Sequence, residues 1–355
     1  MHANRRGTSM EQPRQMKQMR FKNKVAAILA FTLLSGTALL YSNSTINSIE
    51  AAAVPASNLA VNYNANKAVS KTAAREITMQ GISIGMTEAQ LVKKLGQPAR
   101  KDMSEYGFKW YIYNKDYKKY LQVGVSNGKV VALYSNSTGW TSKKGIKVGT
   151  SRTQVEKLYG KPIKEIKKGN TIYRYNHVPN SAIYAVDNTY TTVFYDKHRK
   201  NIVTAVQVID KQTELAFKSF HGKPSKELQQ SFERQLLDLA NAFRVQMGKK
   251  PFKADANIAN TARKHSQDMS KRDFFDHKNP DGKSPFDRMD DDNIEYTAAA
   301  ENIAAGQTSA IIAHEGWINS LGHRENIVGD FARLGVGVAF GGDMEVYYTQ
   351  NFYTP

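Results

Sequence analysis

The residues best suited to chemistry fall in two clusters in the last third of the chain. The stretch AENIAAGQTSAIIAHEGWINSLGHRENIV, Ala300 to Val328, holds Glu301, Trp317, Asn319, Ser320, His323 and Glu325 close together. Upstream, Asp276-His277 follows the helical run ARKHSQDMSKRD. Two histidines and a glutamate beside aromatic and turn residues predict a concave polar site. Glu301 or His323 would serve as general base, and Ser320 beside His323 as nucleophile. Ser320 lies in INSLGH, which lacks the Gly-x-Ser-x-Gly elbow. Asn319 and Ser320 are equally well explained as caps of the next turn. A hydrogen-bonded network of His277, Glu301 and His323 that only fixes loops over a sheet stands beside the chemical readings.

The neighbouring residues separate functional from structural candidates. His277 follows Phe274-Phe275-Asp276 and precedes NPDGKSP. This places it on a loop held by aromatic anchors, where functional groups concentrate. His265 instead shares an apolar helix face with Ile258, Ala262 and Met269. A partly buried imidazole there needs one hydrogen-bond partner and no function. Asp290-Asp291-Asp292 lacks the spacing of a calcium loop and reads as a solvated acidic turn.

Regular elements must position these groups. Phe232, Leu236, Leu239 and Phe243 give residues 226–247 an amphipathic helical period ended by Gly248. Asp255 caps a second helix that runs to Lys271. Ser284 to Met289 forms a short helix and Thr308 to Ser320 a further one, with His323 opening the segment beyond Leu321-Gly322. RLGVGVAF (Arg333–Phe340) and VYYTQNF (Val346–Phe352) are strands around a Gly341-Gly342-Asp343 turn. Helices on both sides of a small sheet predict a three-layer α-β-α sandwich over residues 226–355.

A repeat precedes this domain. GISIGMTEAQLVKKLGQP (Gly81–Pro98) aligns without a gap to GIKVGTSRTQVEKLYGKP (Gly145–Pro162). Thr87 and Ser151 are the expected N-caps, and Gly96 and Gly160 the stops. Strand-like segments follow each copy: Lys109–Asn114 and Tyr120–Ser135, then Thr171–Asn176, Thr191–Asp196 and Ile202–Ile209. Asn127-Gly128 marks a hairpin. Residues 77–212 therefore read as an α+β domain made of a pseudo-symmetric pair, and 213–225 as a hinge. Its many tyrosines suit either a sugar- or polymer-binding face or the cover of half-buried strands.

The charge is uneven. The 355-residue chain carries a net +18. Residues 75–224 hold 26 basic against 11 acidic residues, a net +15, whereas residues 225–355 hold 15 against 19, a net −4. The basic domain should be drawn to polyanions, namely an anionic cell-wall polymer or lipid head groups. No groove-reading motif supports nucleic acid as a partner. Arg20, Lys22 and Lys24 precede the apolar run VAAILAFTLLSGTALLY and the small residues Ala51-Ala52-Ala53. Residues 1–53 thus read as an N-terminal extension and a signal peptide cleaved after Ala53, or as an uncleaved membrane anchor, and 54–76 as a linker. Either way the remainder is secreted or held at the cell surface. The absence of cysteine rules out disulfides and points to a Gram-positive exoprotein.

ARKHSQDMS, FDH, AENIA, W-x-N-S-x-GHRENI, GVGVAF and YYTQNF, in this order, resemble the CAP superfamily of cysteine-rich secretory, antigen 5 and pathogenesis-related 1 proteins, also called SCP domains. The similarity spans about Leu228 to Phe352. Gly81 to Ile209 looks like the N-terminal domain that accompanies CAP domains in spore-forming Gram-positive bacteria. The resemblance implies a cavity lined by two histidines and two glutamates. By motif position these are His277, Glu301 and His323, with Ser320 standing where the second glutamate would be; the motif does not place Glu325. It also implies diverse binding roles, including lipids and sterols. His277, Glu301 and His323, once brought together, would suit a divalent metal such as zinc. The expected function is an exported, envelope-associated ligand-binding or interaction module that takes a small ligand in its His/Glu cavity. The alternative is a divalent-metal-dependent hydrolase acting on a peptide or cell-wall substrate.

Overall fold

The computed structural model describes residues 75–175 and 180–355. The expected signal or anchor and residues 54–74 of the linker lie outside the described residues.

The first repeat copy contributes β1 (Ile77–Met79), α1 (Glu88–Leu95), β2 (Arg100–Met103), β3 (Lys109–Tyr113), β4 (Leu121–Ser126) and β5 (Lys129–Ser135). The second contributes β6 (Trp140–Ser142), α2 (Arg152–Tyr159), β7 (Glu165–Lys168), β8 (Thr171–Arg174), β9 (Ser181–Val186), β10 (Thr189–Asp196) and β11 (Ile202–Asp210). Thr87 caps α1 in a reciprocal box with Gln90, and the Ser151 side chain accepts from the Gln154 N–H at the start of α2. Gly96 and Gly160 stop the two helices at φ 78° and 81°, a backbone conformation that favours glycine. The copies also make matching backbone bonds. The Gly85 N–H donates to the Val130 carbonyl (2.8 Å) and the Gly149 N–H to the Val203 carbonyl (2.9 Å).

The two meanders merge into one seven-stranded sheet of order β2-β3-β4-β5-β11-β10-β9, joined where β5 and β11 pair antiparallel. Thr171–Arg174, expected in the second meander, instead forms a separate hairpin with β7. Its place at the sheet edge is taken by β9, which the sequence reading omitted.

Both faces of this sheet are covered. Leu91 of α1 and Val155 of α2 close one face over Leu121, Val123, Leu133 and Val206. Trp110, Ile112, Tyr120, Tyr134 and Phe194 fill the other, in one core with Phe232, Leu236 and Leu239 of the following helix. Tyr120, Tyr134 and Tyr195 are fully buried, so these tyrosines are packed into the core and form no sugar-stacking face.

The connection begins as α3 (Lys211–Ala216). The Phe217 ring lies 4.7 Å from Tyr106, and a Cβ on Gly222 would fall 2.8 Å from the Glu105 Cα. The expected hinge is thus a packed connection.

The C-terminal domain contains α4 (Lys226–Gln246), β12 (Lys253–Ala254), α5 (Ala256–Arg272), α6 (Pro285–Asp291) and β13 (Ala298–Ala305). It continues with α7 (Ala310–Ile318), α8 (Leu321–Val328), β14 (Arg333–Phe340) and β15 (Val346–Thr354). Its sheet runs β12-β14-β15-β13. Alternation along β15 sends successive side chains to opposite layers. Tyr348 stacks on Phe232 of α4, while the Thr349 hydroxyl meets Ser266 of α5 at 2.8 Å. This is the expected α-β-α sandwich. Gly335 and Gly337 let the backbone of α5 lie directly on β14: a Cβ there would come within 2.3 Å of the Ala259 nitrogen and 2.1 Å of the Arg263 nitrogen.

Polar groups lock the two domains together. Asp238 of α4 accepts from Tyr117 Oη (2.7 Å) and Asn114 Nδ2 (2.9 Å) and pairs with Arg100. Asp102 of β2, fully buried, accepts from Arg234 of α4 at 2.7 Å. Both carboxylates are buried and depend on these partners for their counter-charge, so the contacts fix how the domains sit.

Candidate functional site

Glu301 lies within β13, opposite Asn351 of β15, and its side chain points to the α5 layer. His277 follows α5, and its Nδ1 donates to Glu301 Oε1 at 2.8 Å. Arg288, on α6, donates from Nη2 to Glu301 Oε2 at 2.8 Å. Its Nη1 donates to the carbonyls of His277 (2.9 Å) and Lys283 (3.0 Å). One guanidinium therefore holds both the carboxylate and the two ends of the 277–283 loop. His265 comes from α5: its Nε2 donates to the Asp276 carbonyl at 3.1 Å and lies 3.8 Å from Glu301 Oε1.

Local sequence explains why α6 delivers Arg288. Ser284 and Asp287 cap each other, and Pro285 occupies the first turn, where its missing N–H costs nothing. Met289 then anchors the helix in a small core with Ile258 and Ile294.

The electrostatics follow from burial. Desolvation pushes the Glu301 carboxyl up, but His265, Arg288 and His277 together outweigh it and hold the pKa below the usual glutamate value. Burial drives His265 down to about 4, so it is neutral at physiological pH. The permanent charge in the cluster is that of Arg288.

The structure brings His277 and Glu301 into contact and adds His265 and Arg288, which the sequence reading had set aside as structural or passed over. His323 is not at the opening of a new segment but in the first turn of α8. It is fully buried, and its carbonyl accepts from Asn302 Nδ2 at 3.1 Å. Ser320 precedes α8 without a side-chain capping bond, and its carbonyl accepts from the Arg324 N–H at 2.8 Å. Glu325 is exposed to solvent.

The residues of the cluster are buried: His265, Glu301 and His323 have no exposure, and His277 has 2%. Among the described residues, no three or more His, Cys, Asp or Glu side chains are placed to hold a metal ion. Glu301 has one oxygen on an imidazole and the other on a guanidinium.

A second buried polar group sits where α7 meets the N-terminal sheet. Glu315 Oε1 accepts from Tyr134 Oη at 2.9 Å, and Oε2 has no partner among the described residues. Burial, with Asp196 adding repulsion, pushes Glu315 up to about 8. Next to it, His314 is buried with neither ring nitrogen hydrogen-bonded among the described residues, and burial lowers it to about 3. Asn319 Oδ1 accepts from the Lys197 N–H at 3.0 Å, and Arg324 pairs with buried Asp196 at 2.9 Å. The α7–α8 corner is therefore clamped by the end of β10.

Comparisons with known proteins agree with this two-part architecture. Residues 84–220 match the CAP-associated N-terminal family, and residues 237–352 match the cysteine-rich secretory protein family. The uncharacterized membrane protein YlbC of Bacillus subtilis (strain 168) is 32% identical over 290 residues, covering 76% of this chain and 82% of that protein. The uncharacterized protein YkwD of the same organism is 40% identical over 123 residues, covering 34% of this chain and 47% of its own. The crystal structure of an extracellular SCP-domain protein from Bacillus anthracis str. Ames superposes with a TM-score of 0.68 at 28% identity, over 77% of this chain and 94% of that one. A cysteine-rich secretory protein from Staphylococcus aureus shares the fold at a TM-score of 0.64 and 19% identity, over 78% and 93% of the two chains. Among the described residues no helix is long and apolar enough to cross a membrane. With sequence match, fold and domain order in agreement, the chain belongs to the CAP (cysteine-rich secretory protein) family, in the arrangement that carries a CAP-associated N-terminal domain.

Proposed function

We propose that this protein is an exported, envelope-associated interaction module: the basic N-terminal domain binds an anionic cell-wall polymer, and the CAP domain is mounted rigidly upon it. The observation that carries this reading is the charge division, net +15 over residues 75–224 against −4 over residues 225–355. Geometry supports it. The CAP domain covers one face of the seven-stranded sheet, so α1 and α2 lie on the outer face. They and their adjoining turns expose Lys93, Lys94, Lys147, Lys157 and Lys161. Lysines on an outward surface attract polyanions at a range set by ionic strength. The relatives fit an extracellular setting: one is described as extracellular and another as a membrane protein. The alternative of a metal-dependent hydrolase finds less support, because both oxygens of Glu301 are already committed.

Co-sedimentation tests the reading. The protein is mixed with cell walls that retain or lack teichoic acid, and with anionic or neutral vesicles, at low and high salt. Reversing Lys93, Lys94, Lys157 and Lys161 to Glu should weaken wall binding at low salt by about tenfold or more. If the reversed variant binds teichoic-acid-bearing walls as well as the parent does, the tether is elsewhere. If binding follows the anionic vesicles instead, the surface reads lipid head groups.

A further inference from the structure

We propose that Arg288 is the resident cation of the CAP cluster, a positioning residue whose guanidinium fills the charge role open to a divalent metal and makes the His277–Glu301 pair refractory to metal ions. This goes beyond the tether reading and is independent of it, since it concerns the CAP domain alone.

Three observations carry the inference. The first is saturation of Glu301, whose carboxylate is fully buried with Oε1 on His277 Nδ1 and Oε2 on Arg288 Nη2, both at 2.8 Å. A metal ligated by Glu301 would have to displace one of them. The second is charge. The Arg288 side chain is 9% exposed, and a guanidinium is a fixed positive charge. A dication seated on the same carboxylate would face that charge in a poorly screened interior. The third is that Arg288 is built in. Its Nη1 bonds to the His277 and Lys283 carbonyls tie it to the backbone of the loop that presents His277. The helix beneath it is fixed by a capping box and by buried Met289. A metal would thus have to break loop anchors as well as an ion pair.

The orientation of His277 agrees. Its Nδ1 proton is used on Glu301, because an ionised carboxylate only accepts. The carboxylate thus has an imidazole N–H on one oxygen and a guanidinium on the other.

Calorimetric titration of the full chain with Zn²⁺, and visible spectroscopy with Co²⁺, test the inference. The parent protein should show no metal site that His277→Ala removes. Arg288→Met should gain affinity for Zn²⁺ by about a hundredfold, the upper range for changes around a metal-ligating group. It should show the Co²⁺ bands of low-coordinate ligation, and His277→Ala in the same background should abolish both. Should Arg288→Met fail to fold, Arg288→Gln carries the same expectation, because it is neutral yet can still bond to a loop carbonyl. Arg288→Lys keeps the charge and should stay refractory, while the loop over residues 278–283 becomes more sensitive to protease. A stoichiometric zinc site in the parent that depends on His277 would overturn the proposal. So would a folded neutral variant, judged by near-ultraviolet circular dichroism, that gains no metal.

Discussion

Glu301 and Glu315 are both buried in the CAP domain, with 0% and 1% exposure, yet they are treated in opposite ways. Glu301 has its counter-charge supplied within its own domain by Arg288 and a hydrogen bond from His277, and its pKa lies below the usual glutamate value. Glu315 meets the N-terminal domain, where it finds one phenol, Tyr134, and the neighbouring negative charge of Asp196. The nearby guanidinium, Arg324, is spent on Asp196. Glu315 is accordingly pushed up to about 8 and keeps its proton at neutral pH. Burial is equal at the two sites, so burial alone decides neither state. The partners decide: His265, Arg288 and His277 around Glu301 make the first carboxyl a carrier of charge, while a single phenol leaves the second a carrier of a proton.

The largest effect should come from removing that arginine. Arg288→Met leaves a buried carboxylate without its cation and should cost about 3–5 kcal/mol at pH 7, read by urea unfolding. In the parent protein, the lowered pKa of Glu301 gives stability that is present above its unfolded value and lost as pH falls through the folded one. The variant loses this favourable linkage, so its deficit should shrink below about pH 4.5, where the carboxyl protonates in the unfolded chain too. A deficit that is the same at pH 7 and pH 3.5 would show that Arg288 acts by packing alone.

Glu315→Gln should have the opposite sign. The folded pKa is raised, so the contribution of Glu315 is fully present below the unfolded value near 4.5 and lost as pH rises through about 8. A glutamine mimics the protonated form and loses nothing over that window. The variant should match the parent near pH 4.5 and exceed it by roughly 2–4 kcal/mol at pH 8, measured as the difference in unfolding free energy at the two pH values. Parallel pH profiles for parent and variant would place the proton somewhere other than Glu315.

The smallest effect tests how firmly the compensating arginine is held. Ser284→Ala removes the cap of α6 and should cost about 1 kcal/mol in thermal or urea unfolding. If the capped helix positions Arg288, hydrogen exchange at residues 278–283 should quicken as well. A loss of stability with unchanged exchange in that loop would separate the cap from the arginine.

Much of this architecture could be read from local pattern. Thr87, Ser151 and Asp255 act as the caps expected of them, because capping depends on one side chain and the next three residues. RLGVGVAF and VYYTQNF are strands, as their composition and the turn between them indicated. The motif AENIA was recognised, but its strand was not. AAAENIAA is rich in alanine and weak in β-propensity, and it is held extended by pairing along its length with β15. His277 and Glu301 were correctly drawn together by family resemblance. Arg288 escaped notice because RMDDD reads as a charged helix end, and only the fold turns it toward β13. The interface was harder still. His314 and Glu315 are polar residues, yet α7 is buried on nearly every side. No local signal in Trp110, Tyr120 or Tyr134 says that their side of a sheet will be roofed by another domain.

Gly335 and Gly337 give the CAP cluster its scale. By lacking side chains they set the separation between helix and sheet to that of two bare backbones, and His265 and Glu301 face each other across this gap at 3.8 Å. The cluster is therefore dimensioned from beneath by atoms that are not there. A single methyl on either glycine would act as a shim under α5, lifting His265 off the carboxylate and slackening the start of the loop that carries His277. Two residues without side chains thus hold the tolerance to which the polar centre is built.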